Sequence, residues 1–101
     1  MKKDKHNDFP VMLRKMSKKG FYETLKLICE RGSIHYAEIL KYDLDNDIVQ
    51  SRATVTLIVR SLSKMSLVKR SIVDSRPIRT VYQPTDKGLK LMRHLQEIER
   101  L

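Results

Sequence analysis

The chain has 101 residues, enough for one domain with a modest core, because a chain of this size buries about 60 to 65% of its unfolded surface. A content of 41% hydrophobic and 33% charged residues excludes a disordered chain, and a single cysteine, Cys29, excludes an internal disulfide. The net charge is +9, no apolar run approaches the ~18 residues of a membrane span, and no apolar core follows the basic start, so a cytoplasmic protein with a polyanionic partner is expected.

The charge is unevenly spread. Residues 1–19 carry seven basic and two acidic groups, 20–51 three and six, 52–79 seven and one, and 80–101 four and three. Positive charge therefore gathers on the amino-terminal arm and on one internal segment, as a polyanion footprint would require.

Residues 1–8, MKKDKHND, have no periodicity and read as a flexible basic arm, leaving 9–101 as one domain. Phe9, Met12, Leu13 and Met16 then recur at helical spacing, with Asp8 as a cap and Pro10 tolerated in the first turn. Gly20 separates this helix from a second over 21–31, whose stripe is Phe21, Leu25, Ile28 and Cys29 and whose end is marked by Arg31 and Gly32. On that stripe Cys29 reads as packing. Ser33-Ile34 is too short for a strand of its own and suits only an edge pair on a later hairpin.

A third helix is expected over 36–42, with Ala37 and Leu40 inward, broken by Asp43, Asp45, Asn46 and Asp47. Those acids lack the spacing of a calcium loop and read as caps and turn formers. The next helix should begin between Asp47 and Ser51. In it Val55, Ile58, Val59, Leu62 and Met65 fall on one stripe, while the opposite face carries Ala53, Thr56, Leu57, Arg60 and Lys64 and no acid.

From Leu67 the pattern changes to two β-branched runs, LVKRSIV and IRTVYQ, separated by Asp74, Ser75, Arg76 and Pro77. Pro84 ends the second run, and Thr85 caps a last helix over 86–101. That helix has a wide apolar face, with Leu91, Leu95 and Ile98 in one row and Leu89 and Met92 in a neighbouring one; the first row is expected to meet a partner and the second the core.

A basic helix followed directly by a basic hairpin is a winged helix-turn-helix in outline: α+β, mostly α, a three-helix core with a two-stranded wing and flanking terminal helices. The segment RATVTLIVRSL (52–62), the step Leu67-Val68, the turn Asp74-Ser75-Arg76 and the start Thr85-Asp86-Lys87-Gly88 resemble the MarR-type winged-helix regulators over about residues 20–90. Ser66 stands where that family has a glycine, and Pro84 where it has a leucine. ArsR-, PadR- and other small winged-helix families share most of these features.

The resemblance implies binding of double-stranded DNA. Together with the helical wheel it makes Arg52, Ala53, Thr56, Arg60 and Lys64 candidates for the major groove. Arg60 would read guanine, and Ala53 and Leu57 would meet thymine methyls, unless Leu57 packs on the preceding helix. Arg76 corresponds to the wing-tip arginine, with Asp74 orienting it, and Lys69, Arg70 and Arg79 would contact phosphates. Phe9, Met12, Leu13, Met16, Leu91, Leu95 and Ile98 would form a homodimer interface, so an inverted-repeat site is expected.

His6, His35 and His94 have no Cys or carboxylate partner at metal spacing, and there is no phosphate loop or activated nucleophile, so neither cofactor, metal nor enzymatic activity is expected. Tyr22, Tyr36, Tyr42 and Tyr82 read as core or edge residues. The reading is a sequence-specific transcriptional regulator of the cytoplasm and nucleoid. The alternatives are an architectural DNA-binding protein and a winged-helix module for protein or RNA.

Overall fold

A computed structural model describes residues 8–101. All but the last residue of the expected basic arm lies outside the described residues. The elements run α1 (Asp8–Met16), α2 (Phe21–Arg31), β1 (Ile34–His35), α3 (Tyr36–Asp45), α4 (Arg52–Lys64), β2 (Val68–Val73), β3 (Arg79–Pro84) and α5 (Asp86–Glu99). Among the described residues no helix is long and apolar enough to cross a membrane.

Helix α2 is central and packs against α1, α3, α4, α5 and β3. It can enter the core because the chain turns sharply at both its ends. Gly20 precedes it at φ 94°, a left-handed conformation that strains any residue with a side chain, and a Cβ there would also lie 2.8 Å from Ile58 Cδ1 and displace it. Gly32 follows at φ 77°, its N–H closing the last turn on the Ile28 carbonyl. Leu25 and Ile28 of α2, Ile39 of α3, Val55, Ile58 and Leu62 of α4, and Leu67 are completely buried. The stripe expected on α4 is thus the floor of the core.

The sheet has three strands in the order β1-β3-β2, all antiparallel. A two-residue edge forms one residue later than the expected Ser33-Ile34: Ile34 pairs with Tyr82 and His35 with Val81. The wing is therefore anchored at its base by a strand from the front of the domain, which a two-stranded hairpin would lack. The full β2–β3 register runs from Val68↔Pro84 to Val73↔Arg79.

Several expectations are corrected. Helix α3 does not break at Asp43 but continues to Asp45. Asp43 points inward with no exposed surface, and its Oδ2 accepts the Thr24 hydroxyl at 2.7 Å. Its Oδ1 is buried without a partner among the described residues, and burial raises its carboxyl above the usual range. The Asp43 carbonyl also accepts the N–H groups of Ile48 and Val49, folding the chain back on itself. Asp47 takes a positive φ of 56° in that turn, so α4 starts later than the acidic stretch, at Arg52. Ala37 is exposed, and Ile39 takes the inward position.

On α5 the buried line runs through Gly88 and Met92, with Leu91 and Leu95 half-buried beside it against the core. Leu89 is exposed instead of inward. Of the row expected to face a partner, only Ile98 stands fully clear, at 60% exposure. On α1, Met16 is buried in this domain's core and Met12 is half-buried against it, while Phe9 and Leu13 are exposed. The end of α5 is tied to α2 by Tyr22, whose hydroxyl donates to Glu99 Oε1 at 2.6 Å. That bond pushes the Tyr22 phenol up to about 12.

The half-buried Cys29 thiol faces the Gly88 carbonyl at 3.9 Å, and burial pushes it up to about 11. A thiol so raised is poor in thiolate, in keeping with a packing role.

Candidate nucleic-acid interface

Ser51 sets the position of α4. Its backbone is extended and its hydroxyl accepts the Thr54 N–H at 3.3 Å, capping the helix just before Arg52. With Val55, Ile58, Val59 and Leu62 committed to the core, a 3.6-residue period forces Ala53, Leu57, Arg60 and Lys64 outward, and all four are exposed. Leu57 is 59% exposed and so does not pack on α3. An isolated leucine and an alanine on a cationic helix face are what thymine methyls would contact.

Thr56 behaves differently. It is half-buried, and its hydroxyl is bonded to the Tyr36 hydroxyl at 2.7 Å. Tyr36 in turn lies under Arg52, whose guanidinium carbon is 5.9 Å from the ring centroid, a cation–π distance. Tyr36 therefore ties the first turn of α3 to the first two turns of α4. Its part in the interface was not visible in the sequence, where twenty residues separate it from Thr56. Tyr36 gets its place from His35, which caps α3: the His35 N–H donates to Glu38 Oε1 at 3.2 Å, and the Glu38 carboxyl is held below its usual range by that bond.

Between α4 and the sheet lies a cleft of about 580 Å³ lined by Arg52, Arg60, Arg70, Tyr36, Thr80 and Tyr82 among others. No acid lines it. The ion pairs among the described residues join His35 to Glu38, Lys41 to Asp45 and His94 to Glu97, and none involves a cation of α4 or the wing. Arg52, Arg60, Lys64, Lys69, Arg70, Arg76 and Arg79 are all exposed. Helix and wing thus both present exposed cations, and Arg52, Arg60 and Arg70 converge on the cleft between them.

The wing turn is built locally. The Ser75 hydroxyl donates to the Pro77 carbonyl at 2.7 Å, its N–H donates to the Val73 carbonyl at 3.0 Å, and the Arg76–Pro77 peptide is cis. Arg76 is exposed at the tip, but Asp74 makes no ion pair with it. The bonds that shape the turn come from Ser75 and the backbone.

The wing's angle to α4 is set at the turn between them. Ser66, in place of the resembled family's glycine, adopts φ 61°. Beyond it the start of α5 crosses closely: Thr85 Oγ1 donates to the Ser66 carbonyl at 2.6 Å, the Thr85 N–H to the Leu67 carbonyl at 3.1 Å, and Lys87 Nζ to the Met65 carbonyl at 2.9 Å. Gly88 makes the crossing possible, because a Cβ there would strike the Leu67 carbonyl group. The Thr85–Gly88 start noted in the sequence is therefore a backbone joint.

No protein-family model and no curated protein matches the chain. Solved structures do match it. A protein described as a MarR-family transcriptional regulator from Enterococcus faecalis V583 superimposes with a TM-score of 0.75 at 20% identity, over 99% of this chain and 86% of the other. One so described from Porphyromonas gingivalis W83 gives 0.71 at 19%, over 99% and 93%. The reduced form of the transcriptional regulator YodB from Bacillus subtilis gives 0.74 at 17%, over 92% and 86%. The fold is a MarR-type winged helix. In this winged helix α3 and α4 form the helix-turn-helix, β2 and β3 the wing, and α1 and α5 the flanking helices.

Proposed function

We propose that the chain is a transcriptional regulator that binds double-stranded DNA as a homodimer, with α4 in the major groove and the wing against the adjacent minor groove. The observation that carries this reading is the set of seven exposed cations of α4 and the wing that stand without an ion-pair partner among the described residues, three of which, Arg52, Arg60 and Arg70, line the cleft between the two elements. Arg60 reads a guanine edge with its fork, and Ala53 and Leu57 meet thymine methyls. Arg52 and Lys64 border the groove. Thr56, engaged by Tyr36, positions α4 and does not compete for bases. Lys69, Arg70 and Arg79 neutralise phosphates, and Arg76 enters the minor groove beside Asp74.

Phe9 and Leu13 of α1 and Ile98 of α5 are the exposed apolar residues of the terminal helices that a second copy would cover. Two-fold pairing through them sets two recognition helices about one DNA turn, roughly 34 Å, apart. Selection of bound sequences from a random duplex pool tests the whole reading. An inverted repeat is expected, with Arg60→Ala relaxing one position of each half-site by roughly 1–3 kcal/mol. Binding without any consensus would instead make the protein architectural, and failure to retain any duplex would overturn DNA binding itself.

A further inference from the structure

The distal end of the wing is apolar where a solvated turn would be polar. Ile72 is 59% exposed, Ile78 67%, and Val73 40%. Exposing a large aliphatic side chain forgoes the free energy of its burial, and a three-strand sheet with an exposed apolar end invites edge association. Among the described residues these side chains are left open to solvent. Side chains two apart on a strand share a face, so Ile72 lies on the same face as Arg70. Its cross-strand partner is Thr80. Arg70 and Thr80 both line the cationic cleft against α4. Ile72 therefore continues the side of the wing that faces any ligand of α4, and Ile78 is exposed in the turn between the two strands.

The surroundings choose the occupant. Arg76 and Arg79 flank Ile78, Lys69 and Arg70 precede Ile72, and Asp74 is the one acid of the segment 68–84. An apolar point ringed by cations repels a second copy of itself and suits an anionic partner that contains an apolar layer. Duplex DNA is such a partner: its phosphates flank a minor groove, and stacked bases lie at the floor. Side chains such as Ile and Pro inserted there part a base step, and pyrimidine–purine steps such as TA open at the lowest cost.

We propose that Ile78 and Ile72, with Pro77 between the arginines, form a wedge that presses into the minor groove and partly unstacks one pyrimidine–purine step beside each half-site. This rests on the DNA-binding reading above. The wing then selects sequence by deformability, in addition to any attraction of Arg76 to a narrow groove.

The test uses the full chain and its Ile78→Ser and Ile72→Ser variants, both at exposed positions where the fold should be retained, checked by thermal unfolding. Binding is measured to two duplexes of equal length that carry the same half-sites recovered by selection and differ only in the flanks, alternating TA in one and an uninterrupted A-tract in the other. A TA duplex carrying 2-aminopurine beside the step reports unstacking. The ratio of TA to A-tract affinity should fall about tenfold in Ile78→Ser, and the fluorescence rise seen with the parent should disappear, while the salt dependence of binding stays the same. Parent protein that binds both duplexes without a fluorescence rise, or a variant with an unchanged ratio, overturns the wedge and leaves DNA binding standing. Parent protein that binds neither duplex overturns both. Equal weakening on the two duplexes, or a change in sedimenting mass in place of the step preference, makes the patch a general anchor or a contact between copies and also overturns the wedge.

Discussion

Replacing Gly88 with alanine should destabilise the protein, although in an ordinary helix the same change stabilises. Gly88 lies in the first turn of α5, where alanine gains about 1 kcal/mol over glycine in intrinsic propensity. Against this, the new Cβ would strike the Leu67 carbonyl oxygen and lie 3.0 Å from the Leu67 carbonyl carbon. The obstacle is backbone, so no side chain can rotate away, and overpacking of this kind costs about 1–3 kcal/mol. The same carbonyl accepts the Thr85 N–H at 3.1 Å. Moving it apart loses a further ~1 kcal/mol. The net expectation is a loss of about 2 kcal/mol, or about 8–16 °C in Tm for a domain of this size. Urea unfolding followed by circular dichroism measures it, with Lys90→Ala, at an exposed position of the same helix, as the propensity control. A Gly88→Ala protein as stable as the parent would show that the α5 crossing has room to spare, and that the joint to α4 and the wing is looser than described.

Ser66→Gly should stabilise by about 1 kcal/mol, because a left-handed φ of 61° costs a side-chain-bearing residue roughly 1–2 kcal/mol; an unchanged urea midpoint would count against strain at that turn. Burial raises the Asp43 carboxyl above its unfolded range, so its contribution is fully present below the ordinary carboxylate pKa and is lost as pH rises through the folded value. The parent should therefore lose stability relative to Asp43→Asn as pH rises above the ordinary Asp pKa of about 3.9, and parallel pH profiles would refute this. Ile98→Glu together with Leu13→Glu should convert a dimer into folded monomers in sedimentation, whereas a parent that already sediments at one chain's mass at micromolar concentration would remove the proposed pairing.

How far the sequence speaks for the structure depends on range. The α4 stripe of Val55, Ile58, Val59 and Leu62 was legible because four residues of one helix face one core. The cap at Thr85, and Gly32 at the end of α2, were legible because each acts on its own neighbours. Asp43 was not, because its partner Thr24 is nineteen residues away and only packing of α2 on α3 brings them together. The division of the α5 face into Leu89 outside and Leu91 and Leu95 half-buried depends on how that helix crosses α2, which periodicity cannot supply. On the cationic face the exposed arginines were readable as a group, but Tyr36 holding both Thr56 and Arg52 required the fold.

At the joint between α4, the wing and α5, the acceptors are the carbonyl oxygens of Met65, Ser66 and Leu67, and every backbone supplies those whatever its side chains. No substitution at these three positions deletes an acceptor, although one can displace it. The information that fixes the joint is instead held on one side, in the hydroxyl of Thr85, the ammonium of Lys87 and the missing side chain of Gly88. The hydrogen bonds of the turn that aims the wing are thus indifferent to its side chains, and three positions twenty residues later bear the bonding constraint. A variant library at 65–67 should therefore select only for packing at Leu67 and for a left-handed backbone at Ser66, and one at 85 and 88 for the bonds and the clearance of the joint.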